Sequence, residues 1–289
     1  MPIGLKETAP QNVRVALAQA ASINFDLQAS VDMACQPIAE AGRAGAQLVA
    51  FPESFIPGYP LWIRKFEGSR GIDAELTTRY IKIPLKWDSP DVEQICAVNA
   101  ENNIEDNSAQ TQAYFTYDER TIFGEGSGSS LINVADFPEP LLKYQTYAHI
   151  EEIHAAAWPP MMPDNTKKTF WNTTTEGQQS MSRIHAAEGS GFVLHCTSVL
   201  TLDTIDKMQT NSGQLYKKPG GAFCAVYGPD GSKLSQDLPE DEEGILYADL
   251  DLDQIIEAKT LLDTCGHYSR PDLLRLDSDR EEKINVRTI

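Results

Sequence analysis

The first fifty residues contain two short apolar segments on either side of an amphipathic one, and this pattern restricts the chain to a small set of folds. Residues 13–18 predict a strand, and residues 48–51 predict a second, buried strand. Between them Asp26 occupies the position of a helix cap, apolar residues follow at helical spacing, and two glycines end the pattern. A β-α-β unit of this kind predicts two parallel strands joined by a right-handed connection.

Glu53 follows the second predicted strand, at the carboxyl end where open α/β sheets place their binding crevices. The residues around it include Pro52, Pro57, Gly58 and Pro60, which neither continue a strand nor start an ordinary helix. A carboxylate on a rigid, aromatic-walled loop is a candidate general base, because such surroundings raise a carboxyl pKa towards neutrality. The alternative is a carboxylate that only caps or solvates the loop.

Strand and helix patterns continue to alternate along the rest of the chain, with a hairpin pattern late in it. This alternation predicts the α/β class with a mixed sheet. Asp253 is the expected cap of the last helix. The predicted helices are 92–102, 175–187 and the segment after residue 253; the predicted strands are 131–134, 153–158, 191–199, 223–227 with its return from 232, and 245–250.

Charge and cysteine content exclude several classes of function. A net charge of -18 argues against nucleic acid or an anionic membrane as partner. No apolar run approaches the length of a membrane span, and the first twelve residues lack a signal-peptide core. Five widely spaced cysteines predict reduced thiols and a cytoplasmic location. No His/Cys spacing predicts a metal, no cofactor is expected, and glycines 124, 126 and 128 do not form a phosphate loop.

Four stretches, taken in order, carry a family resemblance. They are residues 49–60 (Val-Ala-Phe-Pro-Glu and then Ile-Pro-Gly-Tyr-Pro), 119–126 (Glu-Arg-Thr-Ile-Phe-Gly-Glu-Gly), 140–160 and 266–274. Together they resemble the nitrilase superfamily, in particular its nitrilase and cyanide hydratase branch, over most of residues 12–276. The resemblance implies one carbon-nitrogen hydrolase-like domain, residues 1–276, with the family's α-β-β-α sandwich, followed by a charged tail, 277–289.

The resemblance also implies roles for two carboxylates. Glu53 matches the family's general base, and Glu119 matches its second carboxylate. The family's lysine, which precedes the second carboxylate, and its cysteine nucleophile, which precedes the 140–144 motif, have no counterpart here. Both losses are interpreted as deletions, because the flanking sequence resumes in register with the family motifs. Each deletion is expected to remove a core strand. Losing the nucleophile alone removes on the order of 10⁶ in rate, so this chain is expected not to turn over nitriles.

None of the five cysteines replaces the missing nucleophile by its sequence position. Cys196 lies in a predicted strand beside His195, and neighbouring strand residues point to opposite faces, so the two are not expected to pair. The other four thiols are expected to be structural.

Three interpretations of function remain open from the sequence. The first is a nitrilase-type hydrolase that converts a nitrile to its acid and ammonia, or a cyanide hydratase, with nitrile or cyanide as the small-molecule partner. The second is a non-catalytic structural subunit, present as a homo-oligomer or in a mixed oligomer with a full-length relative. The third is the product of a mis-spliced or mis-predicted gene in which two coding segments are skipped.

Overall fold

In the part of the chain that the structure describes, two three-stranded β-sheets lie face to face. The computed structural model describes residues 12–64, 73–83, 85–86, 88–102, 104, 140–161, 170–213 and 215–277. The strands are β1 (Asn12–Gln19), β2 (Leu48–Ala50), β3 (Ile153–Trp158), β4 (Phe192–Thr197), β5 (Ala225–Tyr227) and β6 (Gly244–Asp251). The α-helices are α1 (Leu27–Arg43), α2 (Ala74–Ile81), α3 (Pro90–Glu101), α4 (Pro140–Ala148), α5 (Thr175–Gly189), α6 (Leu202–Lys207) and α7 (Asp253–Leu261).

Each sheet mixes parallel and antiparallel pairing, as predicted. Sheet 1 has the order β2-β1-β6, with β1 parallel to β2 and antiparallel to β6. Sheet 2 has the order β3-β4-β5, with β3 parallel to β4 and β4 antiparallel to β5. The parallel pairing of β1 and β2 confirms the β-α-β unit predicted at the start of the chain.

The two sheets bury their facing sides against each other. Val15 and Leu17 of β1 share one apolar cluster with Phe192 and Leu194 of β4, and all four are fully buried. Alternate residues of the same strands point outward, because successive side chains of a strand project to opposite faces. Helices cover these outer faces, so the four layers form the α-β-β-α sandwich that the sequence resemblance implied.

Different helices form the two outer layers. On sheet 1, Ile38 and Ala41 of α1 pack against Ala16, with side chains of α3 beside them. On sheet 2, Ala186 of α5 packs against Val193. Within the part of the chain that the structure describes, no helix is long and apolar enough to cross a membrane.

Local sequence signals fix some helix ends and not others. Asp26 caps α1 as predicted, since its Oδ1 accepts a hydrogen bond from the Ala29 N–H at 3.0 Å. The predicted cap at Asp253 is wrong, because Asp253 is the first residue of α7 and Leu252 occupies the cap position. The carboxylate of Asp251 instead accepts from the Asp253 N–H, at 3.1 Å.

Part of the predicted architecture lies outside the described residues. The predicted strand 131–134 and the two deletion sites fall there, as does almost all of the tail. The late hairpin is present in reduced form. Gly228 donates to the Ser232 carbonyl at 2.8 Å, and the return pairs with Tyr227 only through an isolated bridge at Lys233.

Candidate active site

Glu53 lies on a tight, irregular loop that follows β2. The peptide bond before Pro57 is cis, and both Ser54 and Gly58 have positive φ, at 50° and 100°. The Gly58 N–H donates to the Ser54 carbonyl at 2.9 Å, which closes the loop on itself. The prolines and glycine that predicted an irregular loop therefore hold Glu53 on a short, hydrogen-bonded turn.

Buried aromatic side chains form the base of this loop. Tyr59 and Trp62, which follow it, are almost completely buried, and Trp62 packs edge-on to Tyr80 of α2 with ring centroids 5.4 Å apart. The Tyr80 hydroxyl donates to the Gly58 carbonyl at 2.9 Å. Burial, together with the negative charge of Glu53, raises the pKa of Tyr80 far above its usual value. The Glu53 carboxylate therefore lies close to a phenol that stays protonated.

The Glu53 loop also connects the two sheets. The backbone N–H of Glu53 donates to the carbonyl of Trp158, the last residue of β3, at 3.3 Å. A cavity of about 10 Å³, enough for about one water, lies near the loop and is lined in part by Asn24, Tyr59 and Ser198. Glu53 is thus placed at the carboxyl ends of β2 and β3, the position expected of a site residue in an α/β protein.

Glu119, the second predicted carboxylate, lies outside the described residues. The two positions where the lysine and cysteine motifs are missing also lie there. The structure therefore describes one of the two predicted site residues, and the role of each carboxylate stays a prediction.

All five cysteines lie in the described part of the chain, and two of them form a buried pair between the sheets. Cys196 Sγ lies 3.8 Å from Cys224 Sγ, 3.4 Å from the Ala18 carbonyl oxygen and 3.5 Å from that of Ala50. Burial raises the pKa of the Cys196 thiol well above its usual value. Cys196 is therefore a protonated thiol in the core. A nucleophilic cysteine needs a lowered thiol pKa, and the pKa of Cys196 is raised.

The other three cysteines are half-buried and lie on other elements. Cys35 is on α1, Cys96 is on α3, and Cys265 follows α7. Burial raises the pKa of both Cys35 and Cys265.

His195 and Cys196 do not pair, as predicted. His195 points to the outer face of sheet 2, where its Nδ1 lies 2.8 Å from Ser182 Oγ on α5. Cys196 points into the core between the sheets. Complete burial lowers the pKa of His195 to about 3, so the imidazole is neutral near pH 7.

Glu151, His154 and His185 form a cluster that no spacing in the sequence predicted. Their ligand-type atoms all lie within 4.8 Å of one another. Burial opposes ionisation of Glu151, but the charge of His154 and the hydrogen bonds of both histidines lower its pKa to about 2. Burial lowers the pKa of His185 to about 4, and the charge of His154 adds to this effect. Only the spacing of Glu151 and His154 was visible in sequence, because His185 reaches them through the packing of α5.

Solved structures share this fold at low sequence identity. The NitFhit protein of C. elegans superposes with a TM-score of 0.60 and 16% identity, over 93% of this chain and 67% of that one. An amidase of the nitrilase superfamily from Nesterenkonia AN1 superposes with a TM-score of 0.53 and 16% identity, over 88% and 96% of the two chains. The sandwich is therefore the fold of the nitrilase superfamily.

Sequence relatives agree with the fold. The carbon-nitrogen hydrolase family model matches residues 14–105 and 112–260. An arylacetonitrilase of Aspergillus kawachii is 43% identical over 95% of this chain and 94% of its own length, and one of Aspergillus niger is 42% identical over the same shares. This chain belongs to the carbon-nitrogen hydrolase family, within the nitrilase superfamily.

The same comparisons show that this chain lacks segments present in a relative. The alignment with the A. kawachii protein spans 313 positions but includes only 95% of the 289 residues present here, about 275, so that relative has segments without a counterpart in this chain. The family match is interrupted at 106–111, next to the stretch where the lysine motif was expected.

Proposed function

We propose that this chain is a member of the arylacetonitrilase group that has kept the fold and the Glu53 base but does not hydrolyse nitriles. The positions of the five thiols carry this proposal. Two are buried in the core between the sheets, two lie on helices α1 and α3, and one follows α7. None comes from the segment before α4, where the family resemblance places the nucleophile.

The chemistry explains why a retained base is not sufficient. Nitrile hydrolysis in this family begins with attack of a thiolate on the nitrile carbon, and a nearby cation stabilises the negative charge that develops on nitrogen. A carboxylate such as Glu53 removes a proton from the thiol and supplies neither of those functions. When catalytic groups act as a unit, loss of the nucleophile alone lowers the rate by about 10⁶.

An ammonia-release assay tests the proposal. The purified chain is incubated with phenylacetonitrile, and the A. kawachii relative serves as the positive control. We expect no ammonia above a protein-free blank, and no change when Glu53→Gln is introduced. Ammonia release by the unmodified chain that Glu53→Gln abolishes would contradict the proposal.

The alternative is an active arylacetonitrilase, and the 43% identity to a relative of that name favours it. In this alternative one of the five cysteines is the nucleophile. Replacing each cysteine in turn by alanine identifies it, because a single variant then loses all ammonia release. If no variant does, the alternative fails.

We also propose that the non-hydrolysing chain associates with its full-length relatives. Four large apolar side chains are more than half exposed on or beside α4 and α5: Ile150, Phe170, Trp171 and Ile184. Exposed apolar side chains favour protein association where they form one continuous patch. Co-expression with a full-length arylacetonitrilase is expected to yield a mixed assembly, and separate elution of the two chains would argue against it.

A further inference from the structure

Glu151, His154 and His185 bring three ligand-type side chains to the amino-terminal end of sheet 2. His154 lies at the start of β3, Glu151 precedes that strand, and His185 is on the covering helix α5. His154 Nδ1 is 2.9 Å from Glu151 Oε1, and His185 Nε2 is 3.4 Å from Glu151 Oε2. Both imidazoles are buried, whereas the carboxylate remains partly exposed. Within the cluster, solvent therefore reaches the carboxylate more than the two imidazoles.

This cluster is separate from the candidate active site. His154 and Trp158 lie at opposite ends of β3, and Trp158 is the residue that contacts the Glu53 loop. At about 3.3 Å per residue, the four steps between them correspond to about 13 Å. A ligand held by the cluster would not touch the substrate side of the sheet.

We propose that Glu151, His154 and His185 form a binding site for a divalent first-row transition metal such as Zn²⁺. Two imidazole nitrogens and one carboxylate are a donor set that zinc accepts, with a fourth position left for water. Metal–ligand bonds of about 2.0–2.1 Å in a tetrahedral site place the ligand atoms about 3.3 Å apart. The two nitrogen–oxygen separations, 2.9 and 3.4 Å to different oxygens of the Glu151 carboxylate, lie on either side of that value, and the three ligand-type atoms all lie within 4.8 Å of one another.

Metal binding requires one rearrangement of the side chains. The two imidazole rings are stacked, with centroids 4.0 Å apart and planes at 26°, and the carboxylate bridges their edges. A shared metal must lie close to both ring planes, so the rings have to tilt apart by rotation about their side-chain bonds. A cavity of about 10 Å³ beside the cluster, lined by Gly189 and Gly191 among others, provides space for this movement.

The neighbouring charges permit a cation at this position. Lys143 faces the cluster from α4, but its ammonium group is paired with Glu188 at 3.0 Å. The hydroxyl of Tyr147 donates to the same carboxylate at 3.2 Å. Glu188 thus compensates the one nearby lysine in the described residues.

Cobalt titration of the intact protein tests the site, because Co²⁺ replaces Zn²⁺ and reports its ligands by absorption. We expect one equivalent to bind, with visible d–d bands of a four-coordinate site and without the near-ultraviolet band of thiolate ligation. His185→Gln should weaken binding by about 100-fold or more, since loss of even an indirect partner costs 10–100-fold. The matched control is His149→Gln, at an exposed histidine outside the cluster, which should bind like the unmodified protein.

A second variant and a folding check distinguish loss of a metal ligand from loss of the folded structure. Glu151→Gln preserves the shape of the side chain and removes its charge, and circular dichroism confirms that each variant is folded. Absence of saturable binding to the unmodified protein would overturn the proposal. Equal binding by His185→Gln and His149→Gln would also overturn it, and so would a thiolate band, which assigns the metal to the cysteines.

Discussion

Gly58 is the residue on which the geometry of the Glu53 loop depends most directly. Its φ is +100°, a region that residues with a Cβ avoid, and a Cβ at this position would collide with Asn24 Oδ1. Asn24 is buried and donates to Thr204 Oγ1 at 3.2 Å and to the Ser22 carbonyl at 3.3 Å. Gly58→Ala therefore imposes backbone strain and also displaces a hydrogen-bonded side chain.

The two costs can be estimated separately. A left-handed backbone conformation costs a residue with a Cβ about 1–2 kcal/mol. Each hydrogen bond of Asn24 contributes about 1 kcal/mol, so its displacement adds about 2 kcal/mol and brings the total to roughly 3–4 kcal/mol. Gly45 is the matched control, because its φ is +81° and no described atom lies within 4 Å of an added Cβ. Gly45→Ala should lower the free energy of unfolding by the strain alone.

Urea denaturation monitored by tryptophan fluorescence measures both variants, with the free energy of unfolding extrapolated to water. In an Asn24→Ala background the collision with Oδ1 disappears, and a 3.2 Å approach to Ser22 Cβ remains. Gly58→Ala should then cost close to what Gly45→Ala costs, about 1–2 kcal/mol, so the substitutions at Gly58 and Asn24 are strongly non-additive. Equal costs for Gly58→Ala and Gly45→Ala in the unmodified background, or additive costs in the double variant, would refute this reasoning.

Three further predictions use the same denaturation assay or a thiol reagent. Phe192→Ala, in the core between the sheets, should cost about 3–5 kcal/mol, whereas Leu273→Ala, 70% exposed, should change the free energy of unfolding by less than about 0.5 kcal/mol. Tyr80→Phe should cost about 1–2 kcal/mol because it removes the hydroxyl that donates to the Gly58 carbonyl. Tyr227→Phe should be nearly neutral, since its buried hydroxyl has no hydrogen-bond partner among the described residues. A larger loss of stability for Tyr227→Phe than for Tyr80→Phe would contradict this comparison. In the native protein a thiol reagent should label Cys35, Cys96 and Cys265 and reach Cys196 and Cys224 only after unfolding, and fast labelling of all five would show that the core pair is accessible.

The N-terminal elements could be predicted from sequence because their signals are local. The cap at Asp26, the helical spacing after it and the two apolar segments each depend on neighbouring residues, and together they fixed the parallel pairing of β1 and β2. Helix α2 escaped prediction because only Leu76 and Tyr80 in it are buried, which is too few for a clear apolar period. The misplaced cap at Asp253 has a related cause, since aspartates at 251 and 253 give the same local signal.

The sequence predicted the local structure around Glu53 but not the contacts that Glu53 makes with distant segments. The prolines and Gly58 indicated that Glu53 lies on an irregular loop after a strand, and the structure agrees. The bond from Glu53 to the Trp158 carbonyl joins segments about a hundred residues apart, and the Glu151, His154 and His185 cluster depends on the packing of α5. Contacts of that kind arise from tertiary structure, which residue spacing does not encode.

The pairing of β1 with β6 has a consequence for synthesis of the protein on the ribosome. Strand β1 emerges first, but its antiparallel neighbour is made more than two hundred residues later, and the register joins Asn12 to Asp251. At a synthesis rate of about 5–20 residues per second, the edge of β1 that later pairs with β6 stays without this partner for at least about ten seconds. During that interval the edge is available to other nascent chains or to chaperones, so the yield of folded protein should depend on translation speed and on chaperone supply.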